Sequence, residues 1–232
     1  MKCVILAAGK GLRMRPLTLE TPKPLLKVLG KPLIEYHLES LPSEIHEIII
    51  VIGYLGDQIK DYLGKAFRGK KISYVWQKEY LGTFQAIELC KLLLTDEDFL
   101  VVYADDLVSP KSIKECVSKG SLCMLLSPVD RPEHFGIAVL NPDGTVKELE
   151  EKPENPKSNL ANCGPCVLNN DIFNYPPPKS HKNEYFLVDS IALMMAAGYK
   201  VKSVIAEWWI PIGFPEDLKK AARSLRARMK QL

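Results

Sequence analysis

The chain has 232 residues, 47% hydrophobic and 25% charged, a globular balance with enough length to bury a sizeable core. Its 31 basic and 28 acidic residues leave a net charge of +3, too slight an excess to argue for a nucleic-acid or membrane-surface partner. The longest apolar run, 48–52, falls far short of a bilayer span, and Met1-Lys2 leads straight into a strand without a signal-peptide core, so a soluble cytoplasmic protein is expected.

Residues 2–8 form a continuous apolar run, the pattern of a parallel strand buried on both faces. It stops at Gly9-Lys10-Gly11, followed by Arg13 and Arg15. A strand entering a glycine turn brings backbone close to an anion. Yet the turn fits neither familiar template: a dinucleotide turn needs a third glycine where Met14 stands, and a P-loop needs a Gly-Lys-Ser/Thr that is absent. Prolines 16, 22 and 24 punctuate the irregular stretch 17–29, and Pro32 opens a helix through about residue 41. Segment 47–52 is the next buried strand, 57–63 a short helix and 72–77 a strand. A glycine turn at Gly82 leads to a helix over 83–94, and 99–103 is a strand ending at Ala104-Asp105-Asp106. Such alternation predicts a mostly parallel sheet flanked by helices on both faces.

The second half is less regular. Strands are expected at 121–126, 136–140, 146–150, 163–168 and 201–205, with a turn at 141–144, a proline-rich loop at 151–157 and a helix at 188–197. A helix from about 216 closes the chain, with a basic end (Lys219, Lys220, Arg223, Arg226, Arg228, Lys230) that reads as a solvated face or a dimer surface. Without internal repeats or linkers, one domain is the economical reading, its nucleotide half 1–108 and second-substrate half 109–232.

Six cysteines are present. Cys163-Gly164-Pro165-Cys166 matches a redox CxxC, but that chemistry needs a helix N-terminus to lower the thiol pKa. Here the segment reads as a strand, so the cysteines are expected to be structural.

In an open α/β sheet, ligands bind beyond the carboxyl ends of the strands. There the sequence places a basic glycine turn and an acidic strand end, a pairing that suits a nucleoside triphosphate with a divalent cation. Backbone N–H groups, Arg13, Arg15 and Lys23 would hold phosphate oxygens, and Asp105 would hold Mg²⁺. The bland alternatives are an Asp105 or Asp106 that caps a turn, and an Arg15 that pairs with Glu20.

The block Leu6-Ala7-Ala8-Gly9-x-Gly11-x-Arg13-Met14-Arg15-Pro16-Leu17-Thr18 and the following Pro22-Lys23-Pro24-Leu25-Leu26 resemble the signature of the sugar-1-phosphate nucleotidyltransferases. Further matches follow in order: Gln77 with Leu81-Gly82-Thr83, Ala104-Asp105-Asp106, Phe135-Gly136, Glu151-Lys152-Pro153, Pro156-Lys157-Ser158-Asn159, Gly164, and Trp209-x-x-Ile212-Gly213. The resemblance implies a Rossmann-like nucleotide-diphospho-sugar transferase fold. It also implies that a sugar-1-phosphate attacks the α-phosphorus of an NTP in line, giving an NDP-sugar and pyrophosphate with no covalent intermediate. UTP or dTTP is favoured as the nucleotide. By the same resemblance Arg13, Lys23 and Asp105 are catalytic, with Asp105 on Mg²⁺. Leu6, Ala7, Ala8, Gly9, Gly11, Gln77, Gly82 and Thr83 bind the nucleotide, Gln77 and Gly82 at the base edge. Gly136, Glu151, Asn159 and Gly164 line the sugar pocket, and Lys152 holds the sugar phosphate.

Three departures stand out: Ala104 replaces a glycine, Leu12 a threonine, and Pro211 the aspartate expected as the second metal ligand. Three readings of Pro211 stay open: Asp106 compensates, water fills the position, or the protein is a weak or inactive relative kept for assembly. A cytidylyltransferase for a non-sugar phosphate is the alternative enzyme. No hexapeptide repeat follows the Trp209-x-x-Ile212-Gly213 block, so no β-helix domain is expected in this chain.

Overall fold

The computed structural model describes residues 1–94, 97–180 and 183–229. Ten strands make one mixed sheet: β1 (Lys2–Ala7), β2 (Glu47–Ile52), β3 (Ala66–Phe67), β4 (Lys70–Trp76), β5 (Phe99–Tyr103), β6 (Cys123–Pro128), β7 (Gly136–Leu140), β8 (Val146–Glu151), β9 (Leu160–Leu168) and β10 (Lys202–Ile205). The main helices are α1 (Leu33–Ser40), α2 (Gly56–Leu63), α3 (Thr83–Glu88), α4 (Pro110–Ser118), α5 (Leu187–Ala196) and α6 (Pro215–Met229).

The sheet runs β8-β7-β9-β5-β1-β2-β4-β3, with β6 pairing β9 and β10. The central run β4-β2-β1-β5 is parallel throughout. From β1 the chain steps outward one way to β2 and β4, then returns to lay β5 on the other side of β1. Strand order therefore reverses between β1 and β5, the place where open α/β sheets bind ligands. Beyond β5 the pairing turns antiparallel, through β9, β7 and β8.

The apolar runs follow from this placement. Cys3, Ile5, Ile48, Ile50, Leu100 and Val102 face one core, whereas Val4, Ile49, Val51, Phe99 and Val101 face the other. The inner residues of β1, β2 and β5, from Cys3, Ile48 and Phe99 onward, are covered from both sides and are apolar, whereas β4 is partly exposed and carries Lys70, Lys71 and Ser73. A third, smaller core joins Met14, Leu26, Val28, Leu33, Leu107, Ile212, Ala221 and Leu225. This explains the missing third glycine: Met14, 1% exposed, is an anchor that pins the arginine turn to α6 and to the strand end after β5.

Several boundaries differ from expectation. The 83–94 helix is α3 followed, after a turn, by a 3₁₀ turn over Lys91–Leu93. α4 was not expected, though its signals are in the chain: Ser109 caps it by accepting from Ser112 N–H, and Pro110 fills the first turn. The strand expected at 163–168 begins at Leu160 and carries a register shift between Asn162 and Cys166. In the basic helix α6, Arg228 lies over the Trp208 ring, 5.1 Å from its centre, and Lys230 falls outside the described residues. The CxxC lies on β9, where burial pushes the Cys166 thiol up to about 12 and raises Cys163 as well. Both are buried on a strand, without the helix N-terminus that lowers the thiol pKa in a redox CxxC. Among the described residues no helix is long and apolar enough to cross a membrane.

Candidate active site

A cavity of about 640 Å³ opens at the β1–β5 reversal. Its wall includes Leu6, Ala7, Ala8, Gly9, Gly11, Leu12, Arg13, Lys23, Val51, Gln77, Tyr80, Gly82, Thr83, Tyr103, Asp105, Lys152, Glu184, Phe186 and Gly213. Thus all the residues expected to bind nucleotide, the three catalytic candidates and Lys152 face one space.

The turn after β1 is held by its own geometry. Gly11 adopts φ 58, and its carbonyl accepts from Thr18 Oγ1 at 2.8 Å and Met14 N at 2.9 Å. A Cβ at Gly11 would come within 3.0 Å of Thr18 Cγ2 and 3.3 Å of Lys23 Cβ. Glycine is therefore required by both backbone conformation and close approach. The same contact seats Lys23, whose side chain is only 9% exposed and whose Nζ lies 2.9 Å from Asp105 Oδ2. Burial opposes ionisation of Asp105, but the Lys23 ammonium outweighs it, with help from Arg13, and holds the carboxyl below the usual range. Arg13 has no carboxylate partner among the described residues. Its guanidinium rests beside Gly213 and 5.5 Å from the centre of the Phe214 ring. This side of the wall therefore presents one guanidinium without an ion-pair partner among the described residues and one carboxylate already met by a lysine.

Asp106 does different work. Its Oδ1 accepts from Ile212 N at 2.9 Å and its Oδ2 from Trp209 Nε1 at 3.1 Å, and it does not line the cavity. It is a brace that ties the strand end after β5 to the segment leading into α6, where Trp209–Ile210 pairs with Leu107–Val108. Burial, then repulsion from Asp105, raises its carboxyl pKa. Pro211 is exposed and Ile212 buried. Arg15 is exposed and absent from the wall, and no ion pair joins it to Glu20 among the described residues.

The far wall comes from the antiparallel half. Lys152 pairs with Glu151 at 2.8 Å and lies over the Phe186 ring, 4.9 Å from its centre. Glu151 and Gly136 are register partners of β8 and β7, and a Cβ on Gly136 would stand 3.0 Å from Glu151 Oε2. They lie one layer behind the wall rather than in it. Gly164, at φ 104, occupies the β9 irregularity, where a Cβ would be 3.0 Å from the Tyr103 ring. It backs Tyr103, which does line the cavity. Asn159 is exposed, its carbonyl accepting from Val129 N at 2.9 Å, and it is not part of the wall.

Glu184, Phe186, Tyr80 and Tyr103 were not singled out from the sequence. The first two arrive on a segment clamped to the Gly82 turn: Tyr185 N donates to Leu81 O, Phe84 N to Tyr185 O, and Leu187 N to Thr83 Oγ1. Two aromatic residues between a polar stretch and an apolar helix were the available signal.

Among the described residues no group of three or more His, Cys, Asp or Glu is placed to hold a metal. Asp105 alone suits a hydrated hard cation that completes its shell with phosphate oxygens and water, as Mg²⁺ commonly does. A two-carboxylate site does not fit, because Asp106 is engaged and Pro211 has no ligating side chain.

Fold and site together define a mixed α/β protein with a cavity at the strand-order reversal, walled by a glycine turn, Arg13 and the Lys23–Asp105 pair. The chain matches the nucleotidyl transferase family over residues 2–228, and it belongs to that family, among the sugar-1-phosphate nucleotidyltransferases. It is 34% identical over 228 residues to the bifunctional protein GlmU of Methanocaldococcus jannaschii, a match that covers 97% of this chain and 54% of the relative. It is 30% identical over 241 residues to the UTP–glucose-1-phosphate uridylyltransferase AglF of Haloferax volcanii, covering 100% of this chain and 99% of that protein. The chain therefore spans about half the length of its GlmU relatives. The crystal structure of a UDP-glucose pyrophosphorylase complexed with UDP-glucose superposes with a TM-score of 0.85 at 26% identity, covering 98% of both chains.

Proposed function

We propose that the protein transfers the nucleotidyl group of UTP or dTTP to a sugar-1-phosphate, releasing pyrophosphate. The supporting observation is that one cavity joins the Arg13 turn and the Lys23–Asp105 pair on one wall with Lys152 on the other. The first wall suits a triphosphate and the second suits a phosphate monoester. The uridylyltransferase relative supports the substrate class.

In this reading the backbone of residues 8–11 approaches the triphosphate, and Arg13 takes charge that develops on the leaving pyrophosphate. Lys23, held dry by Gly11 and Asp105, neutralises the reacting phosphates. Lys152 swings from Glu151 to orient the sugar phosphate, and Gln77 with Gly82 meets the base edge. A sugar-phosphate oxygen forms a bond to the α-phosphorus while the bond to the β-phosphate oxygen breaks and pyrophosphate departs. Mg²⁺ bound at Asp105 would neutralise phosphate charge. Rate enhancement comes from positioning and charge stabilisation, with no enzyme nucleophile required. Residues 1–108 then serve as the nucleotide half and 109–232 as the sugar half.

Pro211 favours one competing reading, a subunit that binds nucleotide without turning it over. Incubating the protein with each NTP against a panel of sugar-1-phosphates, and separating the products, tests both. Formation of an NDP-sugar with equimolar pyrophosphate is expected; nucleotide binding without product would favour the subunit.

A further inference from the structure

Gln77 is 6% exposed and lines the cavity. Its Nε2 donates to Gly82 O at 3.1 Å and to Gln85 Oε1 at 2.6 Å. These contacts determine the amide's orientation by chemistry. A backbone carbonyl only accepts, so the Gln77 atom facing Gly82 is the amide nitrogen. That nitrogen carries two hydrogens, and the second goes to Gln85, whose facing atom must then be oxygen. Both donors are used, and Gln77 offers the cavity only an acceptor, Oε1. Gln85 is half-buried on α3, outside the cavity wall.

We propose that Gln85 is a positioning residue that locks the Gln77 amide with its oxygen toward the base, and so selects uracil or thymine over cytosine. The two classes differ at ring N3. Uracil and thymine carry an N–H there that donates to Oε1, whereas cytosine carries a lone pair that would oppose it. With Gln85 gone, only Gly82 O orients the amide, and the inverted rotamer, which presents N–H groups to the base, becomes accessible. Turning the amide would then trade one pyrimidine for the other. The inference rests on the reading that the base lies against Gln77.

The test is equilibrium titration of UTP and CTP into the wild type and four variants, with the ratio of the two Kd values as the readout. In Gln85→Leu the preference for UTP should fall about tenfold, the worth of one well-oriented hydrogen bond, with thermal stability near wild type. Gln85→Glu should restore the preference, because a carboxylate accepts from Nε2 as the amide oxygen does. In a Gln77→Ala background, adding Gln85→Leu should change nothing further. A UTP preference that survives Gln85→Leu, or that is lost equally in Gln85→Glu, overturns the role of Gln85 alone. Gln77→Ala leaving the ratio at its wild-type value, or a wild type that binds neither nucleotide, overturns the base-site reading and this inference with it.

Discussion

The two halves of the sheet build the same cavity by different means. The parallel half, β4-β2-β1-β5, delivers its residues from loops at one edge, so position along the strand dictates position in the site. Leu6 to Gly9, Gln77 and Asp105 all sit where a strand ends. The antiparallel half has no such rule. It contributes through a bulge at Gly164, through Lys152 just beyond the end of β8, and through the Glu184–Phe186 segment latched onto Gly82. The first half makes a continuous cradle from strand ends; the second brings single side chains to it across long stretches of chain.

That contrast ranks the expected effects of mutation. The largest belong to the cradle. Asp105→Asn should lower turnover at least a hundredfold and Arg13→Ala about a thousandfold, because in the proposed reaction each removes charge placed for the reacting phosphates. Steady-state kcat reads both, and excess EDTA should silence the wild type. Turnover unaffected by Asp105→Asn or by EDTA would sink the metal assignment. Lys152→Ala, on the opposite wall, should raise KM for the sugar phosphate ten- to a hundredfold, the worth of a charge-assisted contact. KM for the nucleotide should hardly move; if the two rise together, the walls are not divided as described.

The seam between the halves is structural. Gly82 has φ 99, and a Cβ there would fall 2.5 Å from Tyr185 O. Gly82→Ala should therefore destabilise the fold by about 2–3 kcal/mol and release the Tyr185–Leu187 clamp, read as a fall in the thermal midpoint with faster proteolysis near residue 185. A variant as stable as wild type would show that the clamp is not under steric constraint. The smallest effect is expected at Pro211, which is exposed and does not itself line the wall, two residues before Gly213, which does. Pro211→Asp should leave turnover within about threefold of wild type, or raise it by supplying a second carboxylate. A collapse of activity would mean that the proline itself shapes the segment beside Arg13.

The same contrast decides how much was legible beforehand. Strand interiors covered on both faces must be apolar, so β1, β2 and β5 are plain in the sequence, and the cavity opens at their ends. Met14 defeated the glycine-turn template because it belongs to a core shared with α6, a contact made across some two hundred residues that no local pattern carries. α4 was overlooked because its lysines and serines obscure a short apolar stripe of Ile113, Cys116 and Val117. In the antiparallel half, the residues the motifs point to, Lys152 aside, lie near the cavity but outside its wall. Gly136, Glu151 and Gly164 support the wall from behind, Asn159 stands apart from it, and Glu184 and Phe186 reach it through backbone bonds to the Gly82 turn. Asp106 is the clearest lesson, since adjacency to Asp105 suggested a second ligand. In the turn after β5, Asp105 lines the cavity while Asp106 accepts from Trp209 and Ile212 instead.

The central claim is that both walls act on one reaction, and pyrophosphate release from the nucleotide with and without sugar phosphate tests it most directly. Release is predicted only when UTP or dTTP and a sugar-1-phosphate are present together, in step with NDP-sugar formed. Release from the nucleotide alone at the same rate, or none with any sugar-1-phosphate in the panel, would contradict it.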